Sequence, residues 1–358
     1  MGLRTAAGSV VFPCLLAACA VTPSPRALQL PAASLSVIGA PPVVDKRADF
    51  RAMFCEVLSH EASRSPVGRC DDYLWHLPDE QTAEPLTDSK FVLSSRLRIL
   101  IVGGAFGDCY APESTPFADA VTELKSRGLY IQYVPVSGRS SAALNAKIIA
   151  EKIATVPWDV THPLVLVGYS KGTVDILESL VQYSEVASRV SAVVSIAGAV
   201  NGSPIADHFL WLYDELLSSR AVGQCGPGDG GVLTSLTPFE RLSWLANHTI
   251  PLNIRYYSVG TFTTPHRLAR VLASSQRELS KTDARNDGQL LARDELIPGS
   301  ELLAYANADH WSIALRMEDR FPYLSHRDVG KHPFPQQALL ETLLFFVQRD
   351  LGLSSSSQ

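Results

Sequence analysis

The chain has 358 residues, 46% apolar and 19% charged. That suits one large α/β domain or two smaller ones and is too apolar for a disordered chain. Lysines and arginines number 31 against 36 aspartates and glutamates, a formal charge of −5, so no basic surplus exists to neutralise nucleic-acid phosphates. No internal stretch reaches the roughly 18 uninterrupted apolar residues of a membrane helix, and 23 Gly with 23 Pro exclude collagen-like and low-complexity chains.

The first residues read as an export address. Arg4 gives a short basic start, and Ala6 to Ala18 is small and apolar. That suits the central part of a secretory signal and is too short to span a bilayer. Leu16-Ala17-Ala18-Cys19 then resembles the bacterial lipoprotein cleavage box. The resemblance implies loss of residues 1–18 and a lipid on Cys19. Ala20 after the cysteine implies the outer membrane, where the source has one. The protein is therefore expected in the cell envelope, facing periplasm or surface, held by an N-terminal lipid rather than a transmembrane helix. Residues 19–44 carry Pro23, Pro25, Pro31, Pro41 and Pro42 and read as an extended tether.

Of six cysteines, Cys14 leaves with the signal and Cys19 carries lipid. Cys55, Cys70, Cys109 and Cys225 remain, an even number in an exported chain, which predicts two disulfides. Of the three possible pairings, Cys55–Cys70 with Cys109–Cys225 is favoured because the first pair is close in sequence. Zinc is not expected without CxxC or nearby His spacing.

From Asp45 the elements become legible. Asp45 can cap a helix to about His60, where Phe50, Met53, Phe54, Val57 and Leu58 form one apolar face. Together, 45–95 read as an N-terminal extension. Arg98–Gly103 is a buried strand. Thr115 to Lys125 suits a helix closed by Gly128, and Leu129–Val136 a second strand. Ser140 or Ser141 caps a helix to about Thr155. Leu164–Val167 is a third strand, followed by a helix from Lys171 to about Tyr183. Val190–Ile196, Ile254–Val259 and Glu301–Tyr305 are further strands, and Gln336–Asp350 a closing helix. The alternation predicts a mainly parallel, doubly wound α/β sheet over 96–353. Residues 203–250 break the rhythm and read as a cap or lid insertion, in which Trp211, Tyr213, Leu216 and Leu217 are candidates to line a substrate pocket.

Gly168-Tyr169-Ser170-Lys171-Gly172 lies between a buried strand and a helix. Two flanking glycines let such a turn close tightly and hold the serine hydroxyl exposed at the carboxyl edge of the sheet. Ser170 is the candidate nucleophile. A serine needs a base, and the base an orienting carboxylate. Of nine histidines, three precede Ser170 and so break the chain order Ser, acid, His, His208 and His248 lie in the insertion, and His266 precedes the best acid candidate, which leaves His310, His326 and His332. His310 follows the last strand in a turn and is the candidate base. The candidate acid is Asp287 in Asn286-Asp287-Gly288, with Asp294 next and Asp283 and Asp309 behind. The oxyanion donors are expected to be the backbone amides of Lys171 and of Ala105 or Phe106, in the loop after the first strong strand. The Lys171 side chain reads as a solvated first-turn lysine.

These residues resemble the α/β-hydrolase superfamily from about Arg98 onward. Tyr256-Tyr257-Ser258, Asn286-Asp287-Gly288 and His310 are similar to the last third of bacterial lipases and esterases. The resemblance implies an ester hydrolase with Ser170, Asp287 and His310 as its triad, no cofactor, and an ester or lipid-like small molecule as substrate. Gly103-Gly104 stands where those lipases carry His-Gly, Tyr169 where many carry His, and Ser312 where they carry a calcium-binding Asp; no metal is therefore assigned. The same triad serves polyester depolymerases and acyltransferases. A non-enzymatic envelope lipoprotein retaining the fold is a third class, against which the ordered Ser, Asp and His argue.

Overall fold

The computed structural model describes residues 41–62, 68–83, 91–110, 115–157, 159–208, 225–316 and 333–353. Seven strands form one sheet: β1 (Val44–Asp45), β2 (Arg98–Val102), β3 (Tyr130–Val134), β4 (Leu164–Tyr169), β5 (Val190–Ile196), β6 (Arg255–Thr261) and β7 (Glu301–Ala306). All pair in parallel, in the order β1-β7-β6-β5-β4-β2-β3. The longer described helices are α1 (Arg47–Ala62), α2 (Ala118–Ser126), α3 (Ala142–Thr155), α4 (Lys171–Gln182), α5 (Pro238–Asn247) and α6 (Gln336–Asp350).

Side chains alternate across a strand, and here both faces are apolar. Ile99 and Ile101 of β2, Val165 and Val167 of β4, and Val194 and Ile196 of β5 pack with Phe50 and Phe54 of α1, Val121 of α2 and Phe346 of α6. On the other face Leu100, Leu166 and Val193 pack with Ile149 of α3, Ile176 of α4 and Trp244 of α5. The result is the mainly parallel, doubly wound α/β sheet expected from the run of buried strands, of the α/β-hydrolase type that the resemblance implies.

Local chemistry sets the ends of the elements. β3 stops at Val134 because Pro135 offers no N–H to a ladder. α2 begins three residues later than expected, because Phe117 takes a left-handed φ of 56° and its N–H donates to Ala314 O at 2.7 Å. Ser141, rather than Ser140, caps α3, accepting from Leu144 N–H at 3.2 Å. At the boundary read between tether and extension, Val44 and Asp45 form edge strand β1, and Asp45 Oδ1 also accepts the Arg47 amide at 3.1 Å. The N-terminal extension is therefore helical and built into the sandwich, with α1 against β7 and α6.

Disulfides join Cys55 to Cys70 and Cys109 to Cys225, the latter spanning 116 residues. No described helix is long and apolar enough to cross a membrane. Of the stretch read as an insertion, residues 203–208 and 225–250 are described, and the latter supply α5. Trp211, Tyr213, Leu216, Leu217 and Cys19 lie outside the described residues.

One feature of topology positions the site. β2 pairs with both β3 and β4, so the chain leaves β2 on one side and returns on the other. Open α/β sheets bind ligands in the crevice at the carboxyl ends of such strands.

Phe50 is fully buried, 6.4 Å from the Phe54 ring and 6.0 Å from that of Phe346. Phe50→Ala is expected to cost about 3–5 kcal/mol and to lower the melting temperature of the whole domain. A calorimetric scan with the main transition unmoved would mean that α1 is an appendage.

Candidate active site

Ser170 follows the last residue of β4 and precedes the first of α4. Its backbone sits at φ 55°, ψ −125°, outside the regions L-residues favour. Its amide donates to Ile196 O at 3.1 Å, and its carbonyl accepts from Thr173 N–H at 3.1 Å and Ala199 N–H at 3.3 Å. The flanking glycines are required by close approach. A Cβ on Gly168 would come within 2.7 Å of Thr173 Cα, and one on Gly172 within 2.2 Å of Val102 O. The collisions are with the helix start and the end of β2.

The Ser170 Oγ lies 2.9 Å from Nε2 of His310, and Nδ1 of His310 lies 2.5 Å from Asp287 Oδ2. All three side chains are buried or nearly so. Asp287 Oδ1 also accepts the amides of Gln289 at 2.8 Å and Leu290 at 2.7 Å, the Asx-turn chemistry of the Asn-Asp-Gly segment. Gly288 follows at φ 91°, with Leu272 and Leu268 against it. The His310 amide donates to Asp287 O at 2.9 Å, so main chain and side chain both join the two turns.

The competing acids point elsewhere. Asp294 Oδ1 accepts from Asn201 Nδ2 at 3.3 Å, and Asp283 pairs with Arg285 at 2.9 Å. Asp309 caps the turn after His310, accepting from Trp311 N–H at 3.0 Å and Ser312 N–H at 2.8 Å, while its other oxygen accepts from Ala269 N–H at 2.8 Å. Burial pushes the Asp309 carboxyl above its ordinary range. His326 and His332 lie outside the described residues.

The loop after β2 faces the serine. A Cβ on Gly104 would lie 3.0 Å from Ser170 Cβ. Phe106 departs from expectation as an oxyanion donor. It takes φ 59°, and its amide donates to Gly138 O at 2.8 Å. The left-handed turn aims that N–H at the loop after β3, which leaves Ala105 of the two candidates. Asp108 Oδ1 accepts Gly138 N–H at 2.8 Å, and the Cys109–Cys225 disulfide anchors the other end of the loop.

The Lys171 amide heads α4, where first-turn N–H groups have no intrahelical partner and the helix dipole favours negative charge. Its side chain corrects the expectation of a solvated lysine. It is buried, with Nζ 2.5 Å from Asp175 Oδ1 one turn along, and Asn145 Nδ2 donates to Asp175 Oδ2 at 2.7 Å. An unpaired buried charge costs several kcal/mol, so each makes the other tolerable; burial still pushes the Asp175 carboxyl up, against the pull of Lys171.

Three contacts had no sequence signal. Tyr169 OH donates to His310 O at 2.6 Å. Thr261 Oγ1 lies 2.9 Å from Asp287 Oδ2, and also 2.9 Å from the buried Glu295. Among the described residues one group could offer three metal-ligand atoms, Asp108 with Cys109 and Cys225, and the disulfide occupies both sulfurs.

The structure of a metagenomic carboxyl esterase aligns with 33% identity over 91% of this chain and 98% of its own, with a TM-score of 0.78. The chain belongs to the carboxyl esterase family. A Bacillus licheniformis lipase in its mature form aligns at 19% identity over 63% of this esterase and 89% of that chain, with a TM-score of 0.47. A Legionella pneumophila phospholipase aligns at 11% identity over 71% and 62%, with a TM-score of 0.42. No family model and no curated protein matches the chain.

Replacing Cys109 and Cys225 by Ser is expected to cost about 2–5 kcal/mol and to lower kcat, because the loop after β2 loses its anchor. Replacing Cys55 and Cys70 is expected to lower stability with kcat retained. Thermal melts and ester kinetics on both pairs check this; equal kcat losses would contradict it.

Proposed function

We propose that this esterase cleaves carboxylic esters through an acyl-enzyme, with Ser170 as nucleophile, His310 as base and Asp287 as orienting acid. The observation that carries the proposal is the unbroken chain from Ser170 Oγ through both nitrogens of His310 to Asp287. A serine hydroxyl is a weak nucleophile at neutral pH. An imidazole nitrogen 2.9 Å away can take its proton as the bond to the carbonyl carbon forms. The second imidazole nitrogen then needs a carboxylate to hold the tautomer and balance the imidazolium. The tetrahedral oxyanion would lie between the amides of Lys171 and Ala105, at the dipole end of α4. Collapse releases the alcohol, protonated by His310. Water, activated by the same base, then cleaves the acyl-enzyme.

The proposed setting is the cell envelope, with Cys19 lipidated. Two disulfides support an oxidising compartment. Trp211, Tyr213, Leu216 and Leu217 are proposed to contribute to the acyl pocket.

p-Nitrophenyl esters from acetyl to palmitoyl test the reading. The mature protein is expected to turn over part of the series, with the optimum reporting acyl length. Ser170→Ala is expected to lose about 10⁶-fold in kcat, and Asp287→Asn about 10⁴-fold. A fluorophosphonate should label Ser170 and no other serine. Full activity in Ser170→Ala would overturn the assignment.

A further inference from the structure

A second carboxyl group lies behind Asp287. Glu295 is fully buried, and its Oε2 accepts the Thr261 amide at 2.7 Å. The same oxygen lies 2.9 Å from Thr261 Oγ1, which lies 2.9 Å from Asp287 Oδ2. Oε1 of Glu295 is buried with no hydrogen-bond partner among the described residues. Two acids thus share one hydroxyl.

The hydroxyl carries a single hydrogen. If that hydrogen points to Glu295, an oxygen lone pair faces Asp287 Oδ2, the oxygen that also accepts from His310 at 2.5 Å. A proton on Oδ2 could relieve this contact only by competing with the imidazole N–H. If the hydrogen points to Asp287, Oγ1 must accept from Glu295, and only a protonated carboxyl can donate. The orphan Oε1 agrees, since an unpaired carbonyl oxygen is far less costly to bury than an unpaired carboxylate oxygen.

We infer that Glu295 is a positioning residue held as the neutral acid, donating to Thr261 so that the Thr261 hydroxyl donates to Asp287 and fixes that carboxylate against His310. The inference rests on the reading of Asp287 as the orienting acid and extends it one layer outward. The titratable groups that act on Glu295 or respond to it are Asp287, Asp294 and Tyr305. Burial first, and then the charge of Asp287, push its carboxyl well above the ordinary range. An ionised Glu295 would compete with Asp287 for the one threonine hydrogen. The neutral form leaves a single anion against the imidazole.

Infrared difference spectra of the unliganded protein at neutral pH, wild type minus Glu295→Gln, read the protonation state without reference to activity. The carbonyl stretch of a neutral carboxylic acid is expected in the wild type and absent from the variant. Carboxylate bands alone would overturn the neutral assignment. Thr261→Val tests the positioning role. Its kcat is expected to fall about ten-fold, the scale of one hydrogen bond, with KM unchanged and the NMR resonance of the His310 Nδ1 proton shifted. Thr261→Ser is expected to restore both. An unchanged kcat and an unshifted resonance in folded Thr261→Val would overturn the role. If Thr261→Val does not fold, Thr261→Ser with wild-type kcat and resonance supports the role, and a ten-fold loss in it overturns it. Should Ser170→Ala retain ester hydrolysis, the catalytic reading fails while the infrared result stands by itself.

Discussion

The molecule is organised around one unfavourable backbone conformation. Ser170 at φ 55°, ψ −125° occupies a region that costs an L-residue of order 1–3 kcal/mol. It persists because its surroundings leave no alternative. β4 is buried along its full length, and α4 is buried from Lys171 to Leu180. Gly168 and Gly172 let the two elements approach within distances that a methyl group forbids. The sheet order matters here: β2 and β5, the neighbours of β4, supply the atoms against which the turn is pressed, Val102 O on one side and Ile196 O on the other. An apolar core on both faces thus fixes the position of one polar oxygen.

Charge is handled by pairing and by directed donors. Asp287 receives two amides, the imidazole and the Thr261 hydroxyl, so its negative charge is held by dipoles already in place. Asp309 receives three amides, and although it stands beside His310 the imidazole Nδ1 faces Asp287 instead. Lys171 and Asp175 neutralise one another beneath the first turn of α4. A low-dielectric interior magnifies each of these interactions, and none needs to reorganise when charge develops at the serine.

What the sequence made legible follows from range. β2 and β4 are short apolar runs that lead into a glycine, Gly103 and Gly168, a local signal. The elbow is five consecutive residues, and the Asn286-Asp287-Gly288 turn is three. Chain order then groups Ser170, Asp287 and His310 as candidates, and the three side chains lie within hydrogen-bond reach in the fold. The unread parts are pairs far apart in sequence. Tyr169 meets His310 across 141 residues, and Thr261 meets Glu295 across 34. No periodicity records such a meeting. Between Ala105 and Phe106 no local signal decides, because the direction of the Phe106 amide depends on a left-handed backbone, a conformation rarely taken by a phenylalanine. Lys171 had a local clue, an acid at the i+4 position, but that spacing marks solvated helix pairs as often as buried ones.

Ser170 and His310 are therefore held by different means. Ser170 is fixed by the sheet itself, through contacts within β4, its neighbours and α4. His310 sits in a turn beyond β7, and nothing in the strand fixes it. Its position comes from several separate ties: its own amide to Asp287, Tyr169 to its carbonyl, Asp309 to Ala269, and the Asn307 amide to Tyr73 O at 2.7 Å. The last draws on the N-terminal extension, where Trp75 stacks on Phe262 at 5.0 Å and donates to its carbonyl at 2.8 Å. A segment outside the βαβ repeat thus braces the turn that carries the imidazole. Tyr73 and Trp75 reach the turn that holds His310 from a segment distant in sequence, although neither lies in the site.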